Sequence, residues 1–202
     1  MQEIYSFLLA SIILTLAPGP DILLVLSESI SKGSKSGLTL AAGLVCGLPF
    51  HTLILVVGWD QIIRLYPNLI IAVKIAGAVY FIYLAFQTFT NLNVEVKRHS
   101  LSENKKVKIF KKGILMNLLN PKVSLFFWLF FPVFLFNDHL THGIQYAILG
   151  AIFIIQAALI FSIVALTAAN LAASLQTNTR VLYWMNLGQG ILLFGIALYL
   201  LV

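Results

Sequence analysis

Two ionisable residues stand where a chain of this composition rarely tolerates charge. Asp21 ends the tetrapeptide Pro18-Gly19-Pro20-Asp21, which follows an apolar run over residues 6–17. Lys122 ends Asn120-Pro121-Lys122, which precedes an apolar run over residues 123–131. A charge at the centre of a membrane helix costs about 2.5–3.5 kcal/mol on insertion scales, so both side chains are expected to face protein or a wet cavity. The prolines withdraw amide donors and leave carbonyls of the preceding turn free. Opposite charges beside free carbonyls suit a zwitterion, Lys122 attracting a carboxylate and Asp21 an ammonium. Asp21 can alternatively carry a coupling proton. The bland alternative is an ion pair that only locks two helices. Pro18, Gly19, Pro20 and Pro121 are the expected helix breaks.

Other polar residues can join this centre. Asn117 and Asn120 are three apart and share a helical face, where they can meet a substrate or bond another helix. Lys74 lies among apolar neighbours and either lines the cavity as a second anion-attracting group or reaches to the membrane interface. Tyr80, six residues on, offers a hydroxyl, although its ring suits helix packing. His51, in Pro49-Phe50-His51, can relay a proton or sit neutral in the core. Gln156 reads as helix-to-helix glue. The four histidines (51, 99, 139 and 142) have no metal-ligand spacing, and the lone Cys46 excludes an internal disulfide and a Cys-x-x-Cys pair. No metal and no cofactor is expected. Ser11, Ser27, Ser124 and Ser162 have no triad context, and no glycine stands directly before a Lys-Ser or Lys-Thr pair, which argues against an enzyme and against ATP hydrolysis.

The elements that must position these residues are membrane spans. Of 202 residues, 60% are hydrophobic and 10% charged, against about a quarter charged in soluble domains. Apolar runs long enough for a core roughly 30 Å thick fall near 4–28, 38–58, 68–90, 111–136, 143–169 and 181–201. Glu3 sits where a signal peptide would be basic, so the first run is expected to be a retained span. Residues 91–110 form the one long polar connection, a basic linker between a first repeat (1–90) and a second (111–202). Lys32 and Lys35, then Lys97, Arg98, Lys105, Lys106, Lys108, Lys111 and Lys112, then Arg180 fall on one side of six spans, with Arg64 alone opposite. Positive-inside bias places the linker in the cytoplasm and both termini outside. The linker also suits acidic lipid headgroups; it has no aromatic platform for nucleic acid.

Three spans per half force the halves into opposite orientations. When Pro121 is laid on Pro20, Lys122 falls on Asp21 and Asn120 on Gly19; a second, looser echo sets Gly77 of the third span beside Gly190 of the sixth. The expected fold is an all-α membrane protein, six transmembrane helices in an inverted 3+3 repeat, with the broken helices meeting at the repeat interface. Glycines such as Gly43 and Gly47, four apart, allow close helix approach.

On these residues the chain resembles the lysine and homoserine/threonine exporter family of bacteria. The shared pieces are Pro18-Gly19-Pro20-Asp21, the series Gly33, Gly37, Gly43 and Gly47, the stretch Lys74, Gly77-Ala78 and Tyr80, and Asn117 with Asn120-Pro121-Lys122. The resemblance runs almost from end to end. Family members often carry Tyr-Leu and a later glycine where this chain has Tyr80-Phe81 and Ala85. The resemblance implies efflux of amino acids or close derivatives across the bacterial cytoplasmic membrane, driven by protons, by a six-helix carrier that can be a homo-oligomer. The alternatives are a channel or an exporter of another small solute, with a membrane-embedded enzyme a more distant third.

Overall fold

The computed structural model describes residues 2–17, 19–90, 106–177 and 179–201. Pro18, linker positions 91–105 and the side chain of Arg180, on which parts of the sequence reading rest, lie outside them. All regular structure in the described residues is helical. The order is α1 (Gln2–Leu16), α2 (Pro20–Lys32), α3 (Ser34–Leu65), α4 (Pro67–Thr90), α5 (Lys106–Leu118), α6 (Pro121–Leu125), α7 (His142–Thr177) and α8 (Thr179–Leu201). A π-helical turn, Phe126–Phe130, and a 3-10 turn, Phe131–Phe134, continue α6.

Helices α3, α4 and the stretch His142–Ala168 of α7 are long and apolar enough to cross a membrane. Two bent pairs bring the number to five if each is one span: α1 with α2, bent by 52°, and α5 with the helix from Pro121 to Phe134, bent by 47°. Large apolar side chains such as Val57, Phe86 and Leu159 point outward, as expected where the surrounding solvent is lipid. The protein is an integral membrane protein.

Local sequence explains the helix limits. Pro20 and Pro121 each stand at the first turn of a helix, where a missing amide is harmless and a fixed φ is favourable. Asn120 caps α6, its side-chain oxygen accepting from the Lys122 amide at 3.1 Å. Gly33 alone separates α2 from α3, and its φ of +86° is open to glycine at little cost. Helix α5 begins at Lys106, inside the polar linker, because Ile109, Gly113 and Asn117 repeat at four-residue spacing and bury one stripe while Lys106, Lys108, Lys111 and Lys112 stay exposed.

Helix α3 is the hub, packing on α2, α5 and α7. It meets α5 backbone to backbone. A Cβ added to Gly43 would strike the Phe110 carbonyl, and one added to Gly113 the Leu40 carbonyl. Helices α4 and α8 pack chiefly on each other. The core between α1, α6 and α7 is aromatic: Phe7 meets Phe131 edge-on at 4.9 Å, Phe127 stacks on Phe131 at 4.2 Å, and Phe153 sits 5.0 Å from Phe127.

Candidate functional site: the meeting of two broken helices

The two breaks face each other in the core, and a charge from each closes the gap. The Lys122 ammonium lies 3.8 Å from Asp21 Oδ1, both side chains buried. It donates to the Leu14 carbonyl at 3.0 Å and to the Ala17 carbonyl at 3.3 Å. The first of these bonds follows from sequence. The helical partner of the Leu14 carbonyl would be the amide of position 18, and proline has none. The proline that ends α1 therefore prepares the acceptor for the cation at the other break. Breaking such a buried pair by removing one partner typically costs about 3–5 kcal/mol.

Gly19 makes the approach possible. Its φ of −117° is open to any residue, so the requirement is one of space. A Cβ there would lie 2.8 Å from Asp21 Oδ1 and 2.9 Å from Lys122 Nζ. A small cavity of about 10 Å³ opens beside the pair, lined by Leu14, Thr15, Asp21, Leu48, Asn117, Lys122, Val123, Phe153 and Phe161. That is room for about one water.

Polar groups around this cavity are buried without hydrogen-bond partners among the described residues. Asp21 Oδ1 and Asn117 Oδ1, on its lining, are in this condition, as are Asn120 Nδ2 and Gln156 Oε1 on residues that bond to its lining. Such groups are normally satisfied, and leaving one unmade costs about 1–3 kcal/mol. The chain satisfies buried amides elsewhere. Gln145 accepts from the Phe136 and Asn137 amides and donates to the Asn137 and Leu140 carbonyls. Unmet acceptors and donors converging on one charged cavity are what a polar ligand would find useful.

Of the residues singled out from sequence, Asp21, Lys122 and Asn117 line the cavity, and Asn120 caps the helix that carries Lys122. Gly19, Pro20 and Pro121 lie at the breaks; Pro18 is outside the described residues. Lys74 and Tyr80 are elsewhere. Lys74 is exposed on α4, and Tyr80, half-buried on the same helix, has its ring beside Phe81 and Tyr83. Neither lines this cavity.

Two contributors had weak sequence signals. Thr15 lines the cavity and accepts from Gln156 Nε2 at 3.0 Å, tying α1 to α7. A threonine inside an apolar run and a glutamine in another carry no information about their mutual distance. His51 was visible as a lone histidine in an apolar helix, but its position beside Asn117 depends on how α3 crosses α5.

Known proteins resemble this chain over most of its length. An uncharacterized membrane protein of Pseudomonas aeruginosa is 28% identical over 200 residues, covering 96% of this chain and 93% of its own. A homoserine/homoserine lactone efflux protein of Salmonella typhi is 31% identical over 173 residues, covering 84% of this chain and 82% of its own. The protein of the same description from Salmonella typhimurium is 30% identical over the same length and shares. No solved structure matches the chain. The LysE type translocator family matches residues 12–202, a stretch that contains both helix breaks and every residue of the cavity. With that match and the relatives' agreement over most of their length, the chain belongs to the LysE type translocator family.

Proposed function

We propose that this protein is a secondary transporter that exports amino acids or close derivatives across the bacterial cytoplasmic membrane in exchange for protons. The observation that carries the reading is the opposed pair Asp21 and Lys122 in a cavity ringed by unmet polar groups. A zwitterion supplies what that arrangement lacks. Its ammonium replaces Lys122 beside Asp21, and its carboxylate takes the Lys122 ammonium and the Asn120 amide. Homoserine and its lactone, which name the Salmonella relatives, are the first substrates to test; homoserine is a zwitterion, whereas the lactone has no free carboxylate for Lys122. Helix breaks that carry free carbonyls and charges recur at the midplane sites of secondary transporters.

Six spans arise if α8 is added to the five counted above, and Asp21 and Lys122 then occupy equivalent places in an inverted 3+3 repeat. The counterparts in such a repeat are α3 with α7 and α4 with α8, and both pairs pack together, which supports a pseudo-two-fold arrangement. Positive-inside bias supports a cytoplasmic 91–110 connection and outside termini. The cavity, holding about one water, belongs to a closed state, so substrate binding requires the broken helices to part. Alternating access supplies that motion, with amino acid entering from the cytoplasm and leaving outside. In this scheme Lys74 and Tyr80 serve the periphery, Lys74 reaching to the interface.

The test is flux in proteoliposomes loaded with labelled homoserine and, separately, with a panel of other amino acids, with and without an imposed proton gradient. Gradient-dependent, saturable efflux of one or a few solutes is expected. Flux that neither saturates nor responds to the gradient would make the protein a channel.

A further inference from the structure

We infer that His51 is the group that binds the coupling proton, separate from the Asp21–Lys122 pair that holds the substrate; the inference rests on the export reading above. His51 is 1% exposed, in the middle of α3, and neither ring nitrogen has a hydrogen-bond partner among the described residues. The ring sits between the aromatic Phe127, 5.4 Å away, and the Asn117 backbone.

Asn117 is a telling neighbour. Its carbonyl would pair in a helix with the amide of position 121, and Pro121 has none. At each break a carbonyl four residues before a proline, Leu14 before Pro18 and Asn117 before Pro121, thus faces a nitrogen base. At the first break, the Leu14 carbonyl accepts from Lys122 at 3.0 Å. At the second, the Asn117 carbonyl lies beside an imidazole whose ordinary titration falls between pH 5 and 8. The Asn117 carbonyl already accepts from the Asn120 amide at 3.0 Å, and its second lone pair is open to a protonated ring. The one helix turn that carries Asn117 therefore serves both sites, since Asn117 also lines the cavity with Asp21 and Lys122. Gly47 holds it close: a Cβ there would lie 2.5 Å from Asn117 Oδ1.

The charged groups around His51 leave it this role. From α2 and α6 the core receives Asp21 and Lys122, which face each other. Helix α5 and the π turn bring neutral Asn117 and Phe127. On α3 itself the next acid is Asp60, which is paired with His142 Nδ1 at 2.8 Å and with the Tyr146 hydroxyl at 3.4 Å, both from α7. A proton on His51 draws the Asn117 carbonyl toward the ring and alters the turn that carries the substrate's amide contacts. Proton release reverses this. Proton and substrate are thereby coupled through one helix turn, with no shared side chain.

The experiment joins a transport split to a direct reading of the ring. Wild type and His51→Gln are reconstituted, and labelled homoserine is followed in gradient-driven efflux and in gradient-free exchange. His51→Gln is expected to keep exchange within about twofold and to lose at least tenfold in driven efflux, with a flat pH profile. In parallel, histidine-labelled protein in nanodiscs is titrated by NMR, the His51 signal being the one absent from His51→Gln. That signal is expected to move as the pH is lowered, as a ring that takes up a proton requires. An unchanging neutral ring, a wild-type gradient response in His51→Gln, or loss of exchange together with driven efflux in a well-folded variant would overturn the inference. If wild type carries neither homoserine nor any other amino acid of the panel, the transport reading fails by itself, and the NMR titration still decides whether His51 takes a proton; His51→Asn repeats the signal assignment if the glutamine variant misfolds.

Discussion

At the scale of single residues, the site depends on a glycine as much as on its charges. Gly19 lies between Asp21 and Lys122, and any side chain there would occupy the gap through which they approach. Gly19→Ala is expected to leave membrane insertion intact and to reduce driven efflux about tenfold or more, the equivalent of one weakened charge-assisted bond. Efflux at the wild-type rate, measured per inserted protein, would show that the gap has no function. Proline chemistry made part of this legible in the sequence, because a missing amide at position 18 or 121 frees a known carbonyl. The opposed charges were legible too, from their matching places after those prolines. The role of Gly19 was not, since its backbone is ordinary and only the partner helix, far along the chain, makes its lack of a side chain matter. The same holds for His51, Thr15 and Gln156, whose meaning lies in what another helix sets beside them.

At the scale of elements, the helix after Pro121 is the irregular one. It passes from α to π to 3-10 geometry within residues 121–134, and π turns are frequent at functional sites. Its rings close against Phe7 of α1 and Phe153 of α7, and Phe153 also lines the cavity. In the proposed orientation this aromatic cluster bars the route outward. A disulfide formed between Phe7→Cys and Phe131→Cys, in a Cys46→Ala background, is expected to stop efflux, and reduction to restore it. Undiminished efflux with the bridge confirmed by mass spectrometry would place the exit elsewhere. The run of phenylalanines was plain in the sequence. Its change of helix type was not, because π and α turns draw on the same residues and differ by where neighbouring helices press. The early start of α5 was hidden for a related reason: its lysines read as linker until Ile109, Gly113 and Asn117 are seen to form a buried stripe.

At the scale of the molecule, the two breaks meet, α3 packs on α7 and α4 on α8, the contacts that the proposed repeat requires. The sequence suggests that repeat through its proline–charge pairs and the placing of its basic residues. In the proposed topology the basic connection lies inside the cell. A Ser100→Cys protein with Cys46→Ala is expected to react with an impermeant maleimide only in opened or inverted vesicles. Labelling in intact cells would reverse the orientation and, with it, the direction of transport. The claim on which the whole account depends is that Asp21 and Lys122 form the substrate site of an exporter. Its most direct test compares Asp21→Asn with wild type for gradient-driven amino-acid efflux from proteoliposomes at equal, verified insertion. The account predicts a loss of about tenfold to a hundredfold, the range for removing a hydrogen-bonded charge; efflux at the wild-type rate would contradict it.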